Sequence, residues 1–144
     1  MRKKNLFGYL LSLLGGKKRT KRIEVQLSKE NIAELKTRLH HLMENEKPYL
    51  HIGYHMKDMA DDLHIPVYQL SAFINQVIGM HFTDFMNQYR VRYCEELLKS
   101  DISSRPSLKD LGFRCGFQNR NSFAAAFKKF TGQRPSDYVR NLQS

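Results

Sequence analysis

Residues Gly112–Tyr138 read GFRCGFQNRNSFAAAFKKFTGQRPSDY. Phe123, Phe127 and Phe130 recur at steps of four and three, the spacing of one helix face. A shorter helix holding Leu108, Leu111 and Phe113 precedes them, and Cys115-Gly116-Phe117 makes the turn between the two. Asn119 has a side chain suited to cap the second helix, Gly132 closes it, and Pro135 begins a last helix with Tyr138. The polar and basic residues of the stretch face outward. Two short helices across a tight turn, apolar within and polar without, make a helix-turn-helix unit.

The same organisation occurs once earlier, in MKDMADDLHIPVYQLSAFINQVIGMHF (56–82). Met56, Met59, Ala60 and Leu63 form a short amphipathic helix. His64 and Ile65 turn the chain with Ile65 inward, and Pro66 suits the first turn of the next helix, where its missing N–H costs nothing. Leu70, Phe73, Ile74 and Val77 give that helix its apolar face, and Gly79 ends it. Between the units, Thr83 is expected to cap a long helix running to about Lys99, with Phe85, Met86, Tyr89, Tyr93, Leu97 and Leu98 for packing. Upstream, Ser28 caps a helix carrying Ile32, Leu35, Leu39 and Leu42, which Pro48 ends or follows. The expected fold is all-α: a tail over 1–22, a helical extension over 23–48, and a domain over 49–144 divided into a first unit (49–82), a linker helix (83–99) and a second unit (100–144).

The formal charge of +10 is unevenly distributed. The first 22 residues contribute +8 with no acid. Residues 23–63 carry −3 and residues 64–101 carry −1, whereas residues 102–144 hold 8 basic and 2 acidic side chains. A basic region inside foldable sequence is the electrostatic footprint of a phosphate-backbone contact.

Other chemistries find little support. No nucleophile stands with a base at a recognisable spacing, and no glycine-rich loop cradles phosphate, so the chain does not read as an enzyme and calls for no cofactor. His51 and His55 are four apart, but no carboxylate or cysteine completes a metal set. Cys94 and Cys115 are two thiols in apolar helical patterns, which suits buried residues in a reducing cytoplasm. The apolar run at 5–14 would span about 15 Å as a helix, half the hydrocarbon thickness, and cannot cross a bilayer. Flanked by cations, it reads either as a tail outside the fold or as an anchor on the membrane surface.

The order of these motifs, and above all the string G-F-x5-F-x3-F-K-K-x2-G-x2-P-x2-Y from Gly116 to Tyr138, resembles the DNA-binding domain of the AraC/XylS family of bacterial transcription regulators. The resemblance covers residues 49–142. It implies an activator with double-stranded DNA and RNA polymerase as partners, whose second helix in each unit reads a major groove, the two units entering successive grooves. It carries base reading to Val67, Tyr68, Gln69, Ser71, Ala72 and Asn75 in the first unit. In the second it carries base reading to Arg120, Asn121, Ser122 and Ala125. Asn119, Lys128, Lys129 and Arg134 are implied as phosphate contacts. Arg120 suits guanine O6 and N7, Asn121 suits adenine, and Ala72 and Ala125 offer only methyl contact where relatives often carry long polar residues. Gly112 stands where an alanine is usual and is expected to loosen its helix. The alternative from another class is a membrane-tethered module that binds a protein through the near-neutral first unit. Two reading helices in one chain remove the need for a dimer.

Overall fold

The computed structural model describes residues 27–100 and 106–142; the expectations for the tail at 1–22 lie outside them. Among the described residues the fold is all-α with seven α-helices: α1 (Lys29–His41), α2 (Met56–Asp62), α3 (Val67–Ala72), α4 (Phe82–Ser100), α5 (Leu108–Arg114), α6 (Arg120–Thr131) and α7 (Pro135–Leu142). None of them is long and apolar enough to cross a membrane. The chain forms two compact units. Among the described residues, the first comprises 27–46 together with His55–Phe82, and the second comprises Lys47–Tyr54 together with 83–100 and 106–142.

In the first unit, Ser28 caps α1 by accepting from the Asn31 N–H at 3.2 Å. Both α1 and α3 then run on into a wider π-helical turn, Leu42–Glu46 and Phe73–Ile78. Met43 is buried where Leu42 was expected, and Ile78 where Val77 was, each four residues after a buried residue of the same helix. Leu35, Leu39, Met59, Ala60, Leu63, Leu70, Phe73 and Ile74 complete the apolar interior, and Ile65 is half-buried. Pro66 stands at the N-cap of α3, one residue earlier than the first-turn place expected, and Gly79 ends the π-turn in the left-handed conformation. The guanidinium of Arg38 donates to the Leu63 carbonyl, an acceptor left open where α2 ends.

In the second unit, α4 starts at Phe82, so Thr83 lies inside its first turn instead of capping it. Val91, Cys94 and Leu98 of this helix pack with Leu111, Cys115, Phe117, Phe123, Ala126 and Phe127 in one core. The aromatic rings run in series: Phe117 to Phe123, Phe123 to Phe127 and Phe127 to Tyr138 have centroids 5.3, 5.7 and 5.2 Å apart, tilted or edge-on. Tilted and edge-on pairs add to the area they bury, and they fix α6 on the turn before it and on α7. Gly112 is buried, with the Phe123 ring 3.1 Å from where a Cβ would sit, so its lack of a side chain makes room for that ring. Phe113, by contrast, is 43% exposed. Cys94 and Cys115 are free, fully buried thiols, and the hydrogen bond with the neighbouring Cys115 thiol, then burial, pushes Cys94 up.

The segment Lys47–Tyr54, whose flanks on both sides belong to the first unit, is held in the second by three contacts. Tyr49 packs its ring on Tyr89 and Tyr93, at 5.4 and 6.3 Å. Its carbonyl accepts from Arg90 Nε at 2.7 Å, while Arg90 also donates to Asn87 Oδ1 and lies over the Phe117 ring at 5.7 Å. Burial lowers the pKa of this guanidinium from its ordinary value. Gly116, at φ +86°, brings the turn so close that a Cβ there would stand 2.2 Å from the Tyr49 carbonyl oxygen.

Candidate nucleic-acid interface

The second unit presents the more complete set of the two. Asn119 is extended at the N-cap of α6, and its Oδ1 accepts from the Ser122 N–H at 2.9 Å. Arg120, Asn121, Ser122, Ala125, Lys128 and Lys129 are all exposed. At 100° per residue, Asn121, Ala125 and Lys128 fall within about 60° of one another, opposite buried Phe123 and Phe127. Arg120 leaves the helix at its first residue. These groups supply a bidentate donor, an amide and a hydroxyl on the first turn, with an ammonium two turns on; that is a set able to pair with base edges and phosphate. Arg134 is exposed just ahead of α7, where its carbonyl accepts from Tyr138 N.

Lys129, implied by the resemblance as a phosphate contact, also has a partner within the unit. Its ammonium is 2.7 Å from Asp84 Oδ1 on α4 and lies over the Phe130 ring at 5.7 Å. No short-range sequence pattern brings these residues together, since Asp84 and Lys129 are 45 positions apart.

In the first unit the exposed residues of α3 are Val67 and Tyr68, at 42% and 65%. Tyr68 therefore stands free with its phenol outward. Gln69, Ser71 and Asn75 are partly exposed. Asn75 turns back along its helix, its Nδ2 donating to the Ser71 carbonyl at 2.8 Å and lying 3.3 Å from Ser71 Oγ. Ala72 requires correction: only 8% exposed, it offers almost no methyl surface.

The second unit is also braced behind the interface. Tyr138 on α7 donates its hydroxyl to Glu95 Oε1 on α4 at 2.9 Å. Burial, then that bond, pushes the phenol up to about 12. Among the described residues, no group of three or more histidine, cysteine or acidic side chains gathers to hold a metal.

A family profile described as a helix-turn-helix domain matches residues 59–141, more than half of the chain and parts of both units. The chain belongs to the AraC/XylS family. Among its relatives is RhaR of Yersinia pseudotuberculosis serotype O:1b, an HTH-type transcriptional activator, 32% identical over 84 residues that make up 56% of this chain and 28% of RhaR. YijO of Escherichia coli K12, an uncharacterised HTH-type transcriptional regulator, is 28% identical over 89 residues, 61% of this chain and 30% of that one. The AraC/XylS-type segment thus spans under a third of the length of either curated relative. A solved structure from Listeria innocua, of a protein of unknown function, superposes with a TM-score of 0.60 at 30% identity, covering 74% of this chain and 94% of that one. The C-terminal domain of AraT, a response regulator from Geobacillus stearothermophilus, shares the fold with a TM-score of 0.60 at 24% identity, covering 81% and 88%.

Proposed function

We propose that the chain is a sequence-specific double-stranded DNA-binding transcription regulator, an activator, that reads one major groove with each helix-turn-helix unit. The observation that carries this reading is the exposed first turn of α6. Arg120, Asn121 and Ser122 point outward from a helix held by two aromatic contacts, Phe117 to Phe123 and Phe127 to Tyr138, within the most basic part of the folded sequence. A rigid scaffold behind polar donors is what base recognition requires, because a donor displaced by 1 Å no longer meets both acceptors of a base.

Arg120 and Asn121 are the principal base readers, with Ser122 beside them and Ala125 offering a methyl. Tyr68 is the main reader in the first unit, assisted by Gln69 and Ser71; Asn75 joins once its amide leaves the Ser71 carbonyl. Lys128, Arg134 and the capped helix end at Asn119 meet phosphates. With Ala72 hidden and Ala125 apolar, direct base contacts are few, and part of the specificity comes from DNA shape and deformability. The names of the relatives support activation, and RNA polymerase is the partner that activation requires.

The test is selection of bound duplexes from a random pool by the full chain, repeated with Arg120→Ala. Two blocks about one helical turn apart are expected. The substitution relaxes one block and costs roughly 1–3 kcal/mol on the preferred site. Enrichment of no sequence at physiological salt would reject the function.

A further inference from the structure

Several ion pairs among the described residues link positions three or four apart on a single helix. Another joins two helices of the second unit, Lys129 Nζ to Asp84 Oδ1 at 2.7 Å. Asp84 lies in the first turn of α4 and Lys129 in the last turn of α6. Each charge therefore also sits at the helix end whose dipole favours it. The carboxylate side chain is 29% exposed and the ammonium 56%. Lys128, one position earlier, is about 100° away around α6 and shares the face of Asn121 and Ala125. The two adjacent lysines thus have different surroundings, although the sequence presents them as equivalent.

We propose that Asp84 is a positioning residue for the second reading helix, acting through Lys129, and that Lys128, not Lys129, meets the phosphate. This rests on the DNA-binding reading given above. An ammonium held by a carboxylate is close to neutral for a passing phosphate, and moving it to the backbone would leave Asp84 as an unpaired acid beside DNA. The pair instead ties the C-terminal turn of α6 to α4. That tie sets the angle at which the opposite end of α6, with Arg120 and Asn121, is offered to bases.

Two signs separate this from a phosphate role. Each phosphate neutralised contributes about 0.9 to the slope of log affinity against log salt. If Asp84 were only an acid near the backbone, neutralising it would tighten binding. The experiment measures the affinity of the full chain for its selected duplex across a salt series, with Lys128→Gln, Lys129→Gln, Asp84→Asn, Asp84→Glu, the double neutralisation and the charge-swapped pair Asp84→Lys/Lys129→Asp. Thermal unfolding of each variant is recorded alongside.

Lys128→Gln is expected to lower the slope by about 0.9. Lys129→Gln and Asp84→Asn are each expected to leave the slope unchanged and weaken binding about two- to fivefold, as for a partly exposed pair. The double neutralisation adds nothing to either single change. Asp84→Glu restores affinity, the swapped pair recovers only part of it because both charges then oppose the helix dipoles, and sequence preference relaxes only in the block read by α6. A slope lowered by Lys129→Gln, tighter binding by Asp84→Asn, or equal loss in both blocks with a lowered Tm overturns the proposal. Failure of the unsubstituted chain to select any sequence overturns the DNA-binding reading, and this inference with it.

Discussion

Replacing Gly116 by alanine should be among the most damaging one-carbon changes available to this protein. Two effects add. At φ +86° an L side chain pays the left-handed penalty, about 1–2 kcal/mol. The new Cβ would also stand 2.2 Å from the Tyr49 carbonyl oxygen and 2.9 Å from Leu50 Cα, where an ordinary contact needs more than 3 Å. Both obstacles are backbone and cannot rotate away. The carbonyl is fixed by Arg90 Nε at 2.7 Å and its residue by stacking on Tyr89, so relief requires the segment 47–54 to shift, a strain of about 1–3 kcal/mol. The total is about 2–5 kcal/mol. Gly132→Ala is the internal control, since Gly132 has a similar φ of +77° but nothing within 4 Å of its Cβ position. It should lose about 1–2 kcal/mol. Thermal and urea unfolding measure both, with Tm falling by about 4–8 °C per kcal/mol at this domain size. Equal losses in the two variants would refute the close packing of Lys47–Tyr54 on the turn.

Further outcomes follow from the same contacts. Arg90→Met keeps the apolar stem but removes the donor to the Tyr49 carbonyl, and should cost about 1–3 kcal/mol in urea unfolding; a loss under a few tenths would mean that the guanidinium holds nothing. Tyr138 has its phenol raised to about 12, so the folded state keeps a proton that the unfolded chain loses near pH 10. Its stabilising contribution is therefore complete below pH 10 and disappears as pH rises toward 12. Stability curves of the parent and Tyr138→Phe should converge over that interval; parallel curves would contradict the bond to Glu95. Phe127, fully buried between the rings of Phe123 and Tyr138, should cost about 3–5 kcal/mol on replacement by alanine, and a smaller loss would indicate a loosely packed core.

Much of this protein was legible from local pattern. Ser28 and Asn119 cap their helices because a short polar side chain beside a helical run has one favourable use. Gly79 and Gly132 end theirs because few other residues take a positive φ at low cost. The Phe123, Phe127 and Phe130 spacing located the face of α6. The π-turns were not legible: Leu42 and Val77 obey helical spacing as well as Met43 and Ile78 do, and the choice depends on what packs against the helix. Ala72 misled because a family position names a place on a helix, whereas the packing of the whole unit decides how far that place is exposed.

The amino-acid sequence by itself determined the two helix-turn-helix units, the basic character of the second and the outward polar turn at Arg120–Ser122, because periodicity, caps and charge act over a few residues. Only the tertiary structure decided that Lys47–Tyr54 folds with the second unit, that Gly116 exists to admit the Tyr49 backbone, and that Lys129 pairs with Asp84. Those contacts join residues tens of positions apart. Their existence depends on how finished helices pack, which no local pattern of side chains encodes.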